Sequence, residues 1–74
     1  MNLKKDTMKR LTVYDIYLVE EIEEIIKDIT FIIVDTSEFT AEMTDEYYKE
    51  VREDLLDIIN SSGYNQYDYL IENV

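Results

Sequence analysis

Breaks in regular structure are rare in this sequence, because it contains no proline and a single glycine, Gly63. Proline and glycine most often end helices and strands, so a chain that nearly lacks them favours long helices. Its 74 residues allow one domain, and a domain of this size buries only about 60% of the surface that its unfolded chain exposes. The absence of cysteine excludes a disulfide framework, so we expect a protein of a reducing, cytoplasmic compartment.

The first half of the chain carries an apolar series with helical spacing. Its intervals of seven, four, three, four and three residues are those of a heptad seam, whose members are Leu11, Leu18, Ile22, Ile25, Ile29 and Ile32. Thr12 precedes most of the series, and Asp15 three positions later completes an imperfect capping box. We predict one helix from about residue 12 to about residue 34. The alternative is an α+β fold with a short strand near residues 30–34, where strand-forming Phe, Ile and Val follow one another.

The second half has clearer helix signals. Thr44 is a good N-cap residue, and Gly63 supplies a stop after a run of polar residues. The apolar face between them consists of Tyr48, Val51, Leu55, Ile58 and Ile59. A last short helix is predicted from about residue 65 to about residue 73. Together these elements predict an all-α fold, a small helical hairpin closed by a short C-terminal helix.

Charge divides the chain into two parts. Residues 1–10 have a net charge of +3, which predicts a flexible basic arm, and residues 11–74 have a net charge of -14, which predicts a single acidic helical domain. An acidic surface of this kind repels nucleic acid and anionic membranes and attracts basic proteins. We therefore expect a basic protein as partner, no direct binding of nucleic acid, and no membrane association.

Catalytic and metal-binding functions have little support in the sequence. Histidine and cysteine are both absent, which removes the commonest general base and the thiolate ligands of zinc. Residues 35–46 have the length of a calcium-binding EF-hand loop, but Phe39 stands where an oxygen ligand is needed. We predict a protein that is not an enzyme and that uses no cofactor and no metal.

Two rows of carboxylates are the candidate binding site. Spacings of three and four residues place the members of each row on one helix face, about 5 to 6 Å apart, where they can occupy a groove built for phosphates. Such rows also occur as solvated faces that only keep a protein soluble. An exposed tyrosine among them is a good interface anchor. The candidate residues are Glu20, Glu21, Glu24, Asp28, Glu46, Tyr47, Glu50, Glu53 and Asp57.

The chain resembles phage-encoded inhibitors of bacterial defence, especially anti-CRISPR proteins. The features that it shares with them are small size, strong acidity, the lack of Cys and His, and acidic helical rows. The resemblance implies a stoichiometric inhibitor in the host-cell cytoplasm that blocks the nucleic-acid channel of an effector, such as a CRISPR nuclease complex, by mimicry. The alternative is an oligomerising adaptor or antitoxin-like module, possible also as a homodimer, that makes contact through the Ile-rich helical face.

Overall fold

A computed structural model describes residues 7–74 of the chain, and these form four strands and two helices. The fold class is therefore α+β, and the prediction of an all-α hairpin is wrong. The elements in chain order are β1 (Met8–Val13), α1 (Ile16–Ile25), β2 (Ile32–Asp35), β3 (Glu38–Thr44), α2 (Asp45–Ser61) and β4 (Tyr69–Asn73).

The four strands form one antiparallel sheet in the order β2-β3-β1-β4. Each helix connects two strands that are separated by one other strand, since β3 lies between β1 and β2, and β1 lies between β3 and β4. This is the split β-α-β, or ferredoxin-like, arrangement. The fold hosts many unrelated functions, so it does not identify the activity of this chain.

The long first helix predicted over residues 12–34 is replaced by a strand, a short helix and a second strand. The apolar seam is divided among them: Leu11 lies in β1, Ile22 in α1 and Ile32 in β2. Asp15, which interrupts the seam, is the N-cap of α1, and its carboxylate accepts hydrogen bonds from the backbone of Tyr17 at 2.8 Å and Leu18 at 3.2 Å. The alternative of a short strand near residues 30–34 is the one that agrees with the structure.

The strand β1 ends early, at Val13, and this makes the crossover to β2 long enough. A strand at residues 11–19 would leave too few residues for a connection between parallel strands, which needs a dozen or more. Because β1 ends at Val13, residues 14–31 are available for α1 and its loops. Lys9 and Arg10, expected in a flexible arm, lie in β1, whereas residues 1–6 of that arm lie outside the described residues.

Two segments of the predicted hairpin take an extended form because they pair with neighbouring strands. The predicted C-terminal helix is wrong, since Tyr69–Asn73 is the edge strand β4, paired with β1. The segment after residue 34, expected as a loop, forms the hairpin of β2 and β3. In β3 polar residues alternate with Phe39, Ala41 and Met43, which are buried, and this period of two is typical of a half-buried strand.

The second predicted helix is confirmed as α2. Thr44 is its N-cap, with Thr44 Oγ1 accepting a hydrogen bond from the Tyr47 backbone N–H at 3.1 Å. After the helix ends, Gly63 has a φ of 83°, in the left-handed region that residues other than glycine rarely adopt. The local signals of this element agree with its tertiary packing.

The hydrophobic core lies between the two helices and one face of the sheet. The strands contribute alternate residues to it, and each helix contributes one apolar face. The opposite face of the sheet has no helix on it within residues 7–74. We call it the open sheet face. Neither helix is long and apolar enough to cross a membrane in this part of the chain. The buried core residues are Leu11, Val13, Leu18, Val19, Ile22, Ile26, Ile29, Phe39, Ala41, Met43, Val51, Leu55, Ile58 and Ile59.

Candidate acidic binding surface

The outward side of α2 carries a continuous row of carboxylates. Val51, Leu55 and Ile59 turn one face of the helix into the core. At 100° per residue, positions 46, 50, 53 and 57 fall on the opposite face, and all four side chains are exposed. The row predicted from the sequence is therefore present on a single helix face, formed by Glu46, Glu50, Glu53 and Asp57.

The second acidic row is shorter than predicted. Glu20, Glu21 and Glu24 are exposed on α1, but the helix ends at Ile25 and Asp28 lies in the following turn. The C-cap Ile26 has an extended backbone and is buried, which turns the chain toward the sheet. Asp28 thus reaches the surface from a turn, and it does not continue the helical row.

The two helices lie side by side, and polar contacts join α1 and its N-cap to the residues that follow the end of α2. Ser62 Oγ donates a hydrogen bond of 2.6 Å to Glu21 Oε1, and Tyr64 Oη donates one of 3.1 Å to Asp15 Oδ1. Burial, together with the hydrogen bond to Asp15, raises the pKa of Tyr64 above its ordinary value. These contacts hold the acidic rows in a fixed relation to each other.

At the other end of the helix layer, Tyr47 lies close to Asp28 of the turn and to Glu50 of the α2 row. The side chain is half-buried, and its pKa is raised by burial first and then by the negative charges of Asp28 and Glu50. A depression of about 320 Å³ adjoins it, lined by Asp28, Ile29, Glu42, Met43, Thr44 and Tyr47. Two carboxylates and a phenol around a shallow depression suit the side chain of a lysine or arginine.

We call the outer surface of α1, α2 and the Asp28 turn the acidic helix surface. It contains all nine residues that were predicted as the binding site, together with Asp54, which the sequence reasoning missed. Asp54 lies four residues after Glu50 and is exposed. The i to i+4 spacing from Glu50 is the signal that could have found it.

The positively charged side chains of β1 form ion pairs away from the acidic helix surface. Lys9 Nζ lies 3.2 Å from Asp45 Oδ1, and Arg10 lies 3.2 Å from Glu42 and 4.0 Å from Glu72. None of the nine predicted site residues takes part in an ion pair between residues 7 and 74. Lys27, Lys49 and Arg52 are exposed near the acidic helix surface but form no ion pair with it there. The carboxylates of this surface are therefore not neutralised by ion pairs among the described residues.

The open sheet face has a mixed character. It holds a shallow groove of about 470 Å³ with carboxylates of Glu38, Glu42 and Glu72 at its sides, and Arg10 between two of them. Its remaining lining residues are Thr12, Tyr14, Val34, Thr40 and Leu70. Sequence reasoning missed this face because it depends on the pairing of four strands.

Other kinds of site receive no support from the described residues. No group of three or more carboxylates is arranged to hold a metal ion within residues 7–74. The Ile-rich helical face predicted as the alternative contact is divided, because Ile22 and Ile29 are buried in the core and α1 ends at Ile25.

No protein-family model matches the sequence, and no curated protein shows significant similarity to it.

Proposed function

We propose that this chain is a non-enzymatic binding protein that places its acidic helix surface in the basic groove of a nucleic-acid-binding protein and so excludes the nucleic acid. The observation that carries the proposal is the exposed row of α2, formed by Glu46, Glu50, Glu53 and Asp57. The compositional resemblance to anti-CRISPR proteins suggests a phage-type inhibitor, with a CRISPR nuclease complex as the first effector to test.

The dimensions of the surface support mimicry of nucleic acid. The row on α2 runs from Glu46 to Asp57, eleven residue steps apart, which is about 16 Å at the rise of an α-helix. The axes of packed helices lie about 8 to 10 Å apart, which is between the widths of the minor groove, about 6 Å, and the major groove, about 12 Å. The basic groove of the partner has lysine and arginine side chains placed to contact phosphates. In the proposed complex these side chains meet carboxylates at comparable positions.

Direct binding of nucleic acid is opposed by the same distribution of charge. In RNA-binding domains with a four-stranded sheet, bases stack on aromatic residues of the exposed sheet face. Here that face carries Glu38, Glu42 and Glu72, and its Arg10 already pairs with two of them. A polyanion would meet repulsion on both faces of the domain.

Competition with DNA tests the proposal directly. Labelled DNA bound to a purified CRISPR nuclease complex should be displaced by the protein, and displacement should weaken steeply as the salt concentration rises, because ion pairs between exposed charges are screened. The double variant Glu50→Lys with Glu53→Lys should lose at least about tenfold in affinity, which corresponds to about 1.4 kcal/mol.

A matched control distinguishes the effect of the acidic helix surface from the effect of the net charge of the protein. The double variant Glu38→Lys with Glu72→Lys changes the charge of the protein by the same amount but alters the open sheet face. It should displace DNA as well as the unmodified protein does. Equal loss in both variants would show that displacement follows overall charge, and full activity of the helix variant would refute the role of the α2 row.

A further inference from the structure

The edge strand β2 exposes an unusual amount of apolar surface. It pairs only with β3 among the described strands, and its three apolar side chains are Ile32, Ile33 and Val34, with exposed fractions of 67%, 72% and 56%. Ile32 pairs with Thr40 and so lies on the open sheet face, whereas Ile33 pairs with the buried Phe39 and lies on the helix side. Both faces of this edge are therefore apolar and accessible.

Edge strands of natural proteins are usually protected by charge or by irregular backbone. Residues 29–34 contain no charged residue, proline or glycine, and Asp28 and Asp35 mark the ends of this run. Short segments of this composition, rich in β-branched residues, readily pair with copies of themselves. The other edge of the sheet differs, because β4 includes Glu72 and Asn73, and Asn73 accepts a hydrogen bond from Lys9.

We propose that β2 is a self-association site, at which two copies of the chain join through antiparallel pairing of their β2 strands into one eight-stranded sheet. With the two-fold axis at Ile33, the Ile33 side chains of the two copies lie opposite each other. Ile32 then lies opposite Val34 of the second copy, on the open sheet face. Pairs of β-branched residues across antiparallel strands are favourable, and the contact closes after two copies because each uses the same strand.

The charges around β2 select a second copy over a basic peptide as the occupant. Between Asp28 and Asp35 this edge has no carboxylate with which a basic strand could pair, whereas residues 29–34 of a second copy match one uncharged run to another. The two Asp35 side chains would be separated by four residues along the strand direction, which is about 14 Å. This exceeds the Debye length of about 8 Å at physiological salt, so their repulsion is largely screened.

The backbone irregularity at the end of β2 limits the assembly. The register of the pairing between β2 and β3 changes between Ile33 and Asp35. An irregularity of this kind increases the local twist of the strand. The regular part of the edge is therefore short, which disfavours open-ended stacking. Only three apolar side chains per copy contribute to the contact, which places it among small and weak interfaces, so the dimer is expected to dissociate readily on dilution.

Self-association and the proposed partner binding have opposite dependence on salt. Each copy carries a net charge of -11, so added salt screens the repulsion between copies and strengthens the dimer. The same salt weakens binding of a basic partner. The β2 pairing does not depend on the function proposed for the acidic helix surface, and the failure of one inference leaves the other intact.

Analytical ultracentrifugation of the whole chain over a wide range of concentrations tests the pairing. The unmodified protein should shift from monomer to dimer as concentration rises, and the shift should occur at lower concentration in high salt. Ile33→Lys should remain monomeric throughout, because it places like charges opposite each other at the two-fold axis. Ile25→Lys is the matched control, since Ile25 is 59% exposed on α1 and the charge change is identical; it should dimerise as the unmodified protein does.

Oxidative cross-linking gives a second measurement that does not require a repulsive substitution. The chain has no cysteine, so Ile33→Cys introduces a single thiol. Opposite residues of antiparallel strands have Cα atoms about 4.5 to 5.5 Å apart, within the range of disulfide geometry. Ile33→Cys should form a covalent dimer much faster than Ile25→Cys.

The proposal would be overturned by a monomer at all concentrations in high salt, a dimer that survives Ile33→Lys, equal loss of the dimer in both lysine variants, or equal cross-linking rates in both cysteine variants. Open-ended oligomers would also contradict it, because isologous pairing through β2 stops at two copies.

Discussion

Replacement of Asp15 by alanine distinguishes the observed fold from the helical hairpin by the sign of its effect on stability. In the structure Asp15 Oδ1 accepts three hydrogen bonds, from the backbone N–H groups of Tyr17 and Leu18 and from the hydroxyl of Tyr64. In a continuous helix over residues 12–34, the same position would lie in the apolar seam. Alanine there would have a better helix propensity than aspartate and would raise stability.

The expected loss follows from the three contacts. Removal of an N-cap acceptor costs about 1 kcal/mol, and loss of the half-buried link to Tyr64 costs about 1 kcal/mol more. Asp15→Ala should therefore lower the free energy of unfolding by about 2 kcal/mol. For a domain of this size that corresponds to a fall in melting temperature of about 10 °C.

Two further variants separate these contributions. Asp15→Asn retains an oxygen acceptor for the cap and should stay within about 0.5 kcal/mol of the unmodified protein, because Asn and Asp cap helices about equally well. Tyr64→Phe removes only the hydroxyl and should cost about 1 kcal/mol. Because Asp15 and Tyr64 share one hydrogen bond, the double variant Asp15→Ala with Tyr64→Phe should lose less than the sum of the single losses.

Urea unfolding followed by circular dichroism measures all four variants. The slope of free energy against urea concentration should remain unchanged, so that differences in midpoint report stability. A gain in stability for Asp15→Ala, or strict additivity of the double variant, would refute the assignment of Asp15 as the cap that ties α1 to the C-terminal segment.

Three other predictions concern pH and the core. Hydrogen bonds from Thr7 and Lys9 hold the pKa of Asp45 below its ordinary value of 3.8. The contribution of the Asp45 carboxylate to stability is therefore present above pH 3.8 and is lost as pH falls below that value. In Asp45→Asn, acid unfolding should lack this pH-dependent loss of stability. Burial raises the pKa of Tyr47 and of Tyr64 above 10.0, so the folded state retains protons that the unfolded state releases, and stability should fall as pH rises above 10. Absorbance titration of Tyr47→Phe and Tyr64→Phe should each show one late-titrating phenol fewer. Leu55→Ala, at a fully buried position of α2, should cost about 2 to 5 kcal/mol in urea unfolding, and an effect below 1 kcal/mol would contradict its place in the core.

The two proposed binding surfaces differ in charge. The acidic helix surface concentrates carboxylates that are not neutralised by ion pairs among the described residues, whereas the β2 edge is an apolar segment with its nearest acidic residues at the ends. If both proposals hold, pairing through β2 places the helix layers of two copies on the same side of the eight-stranded sheet. The acidic surface presented to a partner would then be twice as long.

Only part of the fold could be predicted from the sequence, because helices and strands differ in what stabilises them. The cap at Thr44, the apolar face of α2 and the stop at Gly63 are local signals, and they identified α2 correctly. A helix closes its hydrogen bonds within its own segment. Its outward row of carboxylates could therefore be located from residue spacing alone.

Strands are stabilised by partners that are distant in the sequence. Leu11 pairs with Ala41 on one side and with Ile71 on the other, and no local pattern indicates either partner. The apolar residues of β1, α1 and β2 happen to follow heptad spacing, which concealed the boundaries between them. The alternation of polar and buried residues in β3 was a usable strand signal, but without knowledge of its neighbour β1 the segment resembled a loop.

By itself the sequence determined the strong negative charge, the lack of thiol and imidazole chemistry, the helix α2 and the acidic row on its outer side, since these depend on composition and on contacts within one segment. Tertiary structure alone decided that residues 8–13, 32–35, 38–44 and 69–73 form a sheet, that Asp28 comes close to Tyr47, and that Ile32, Ile33 and Val34 remain exposed at its edge. Backbone hydrogen bonds between strands and the burial of one sheet face are properties of the assembled chain, and they override the helical spacing of the residues that take part.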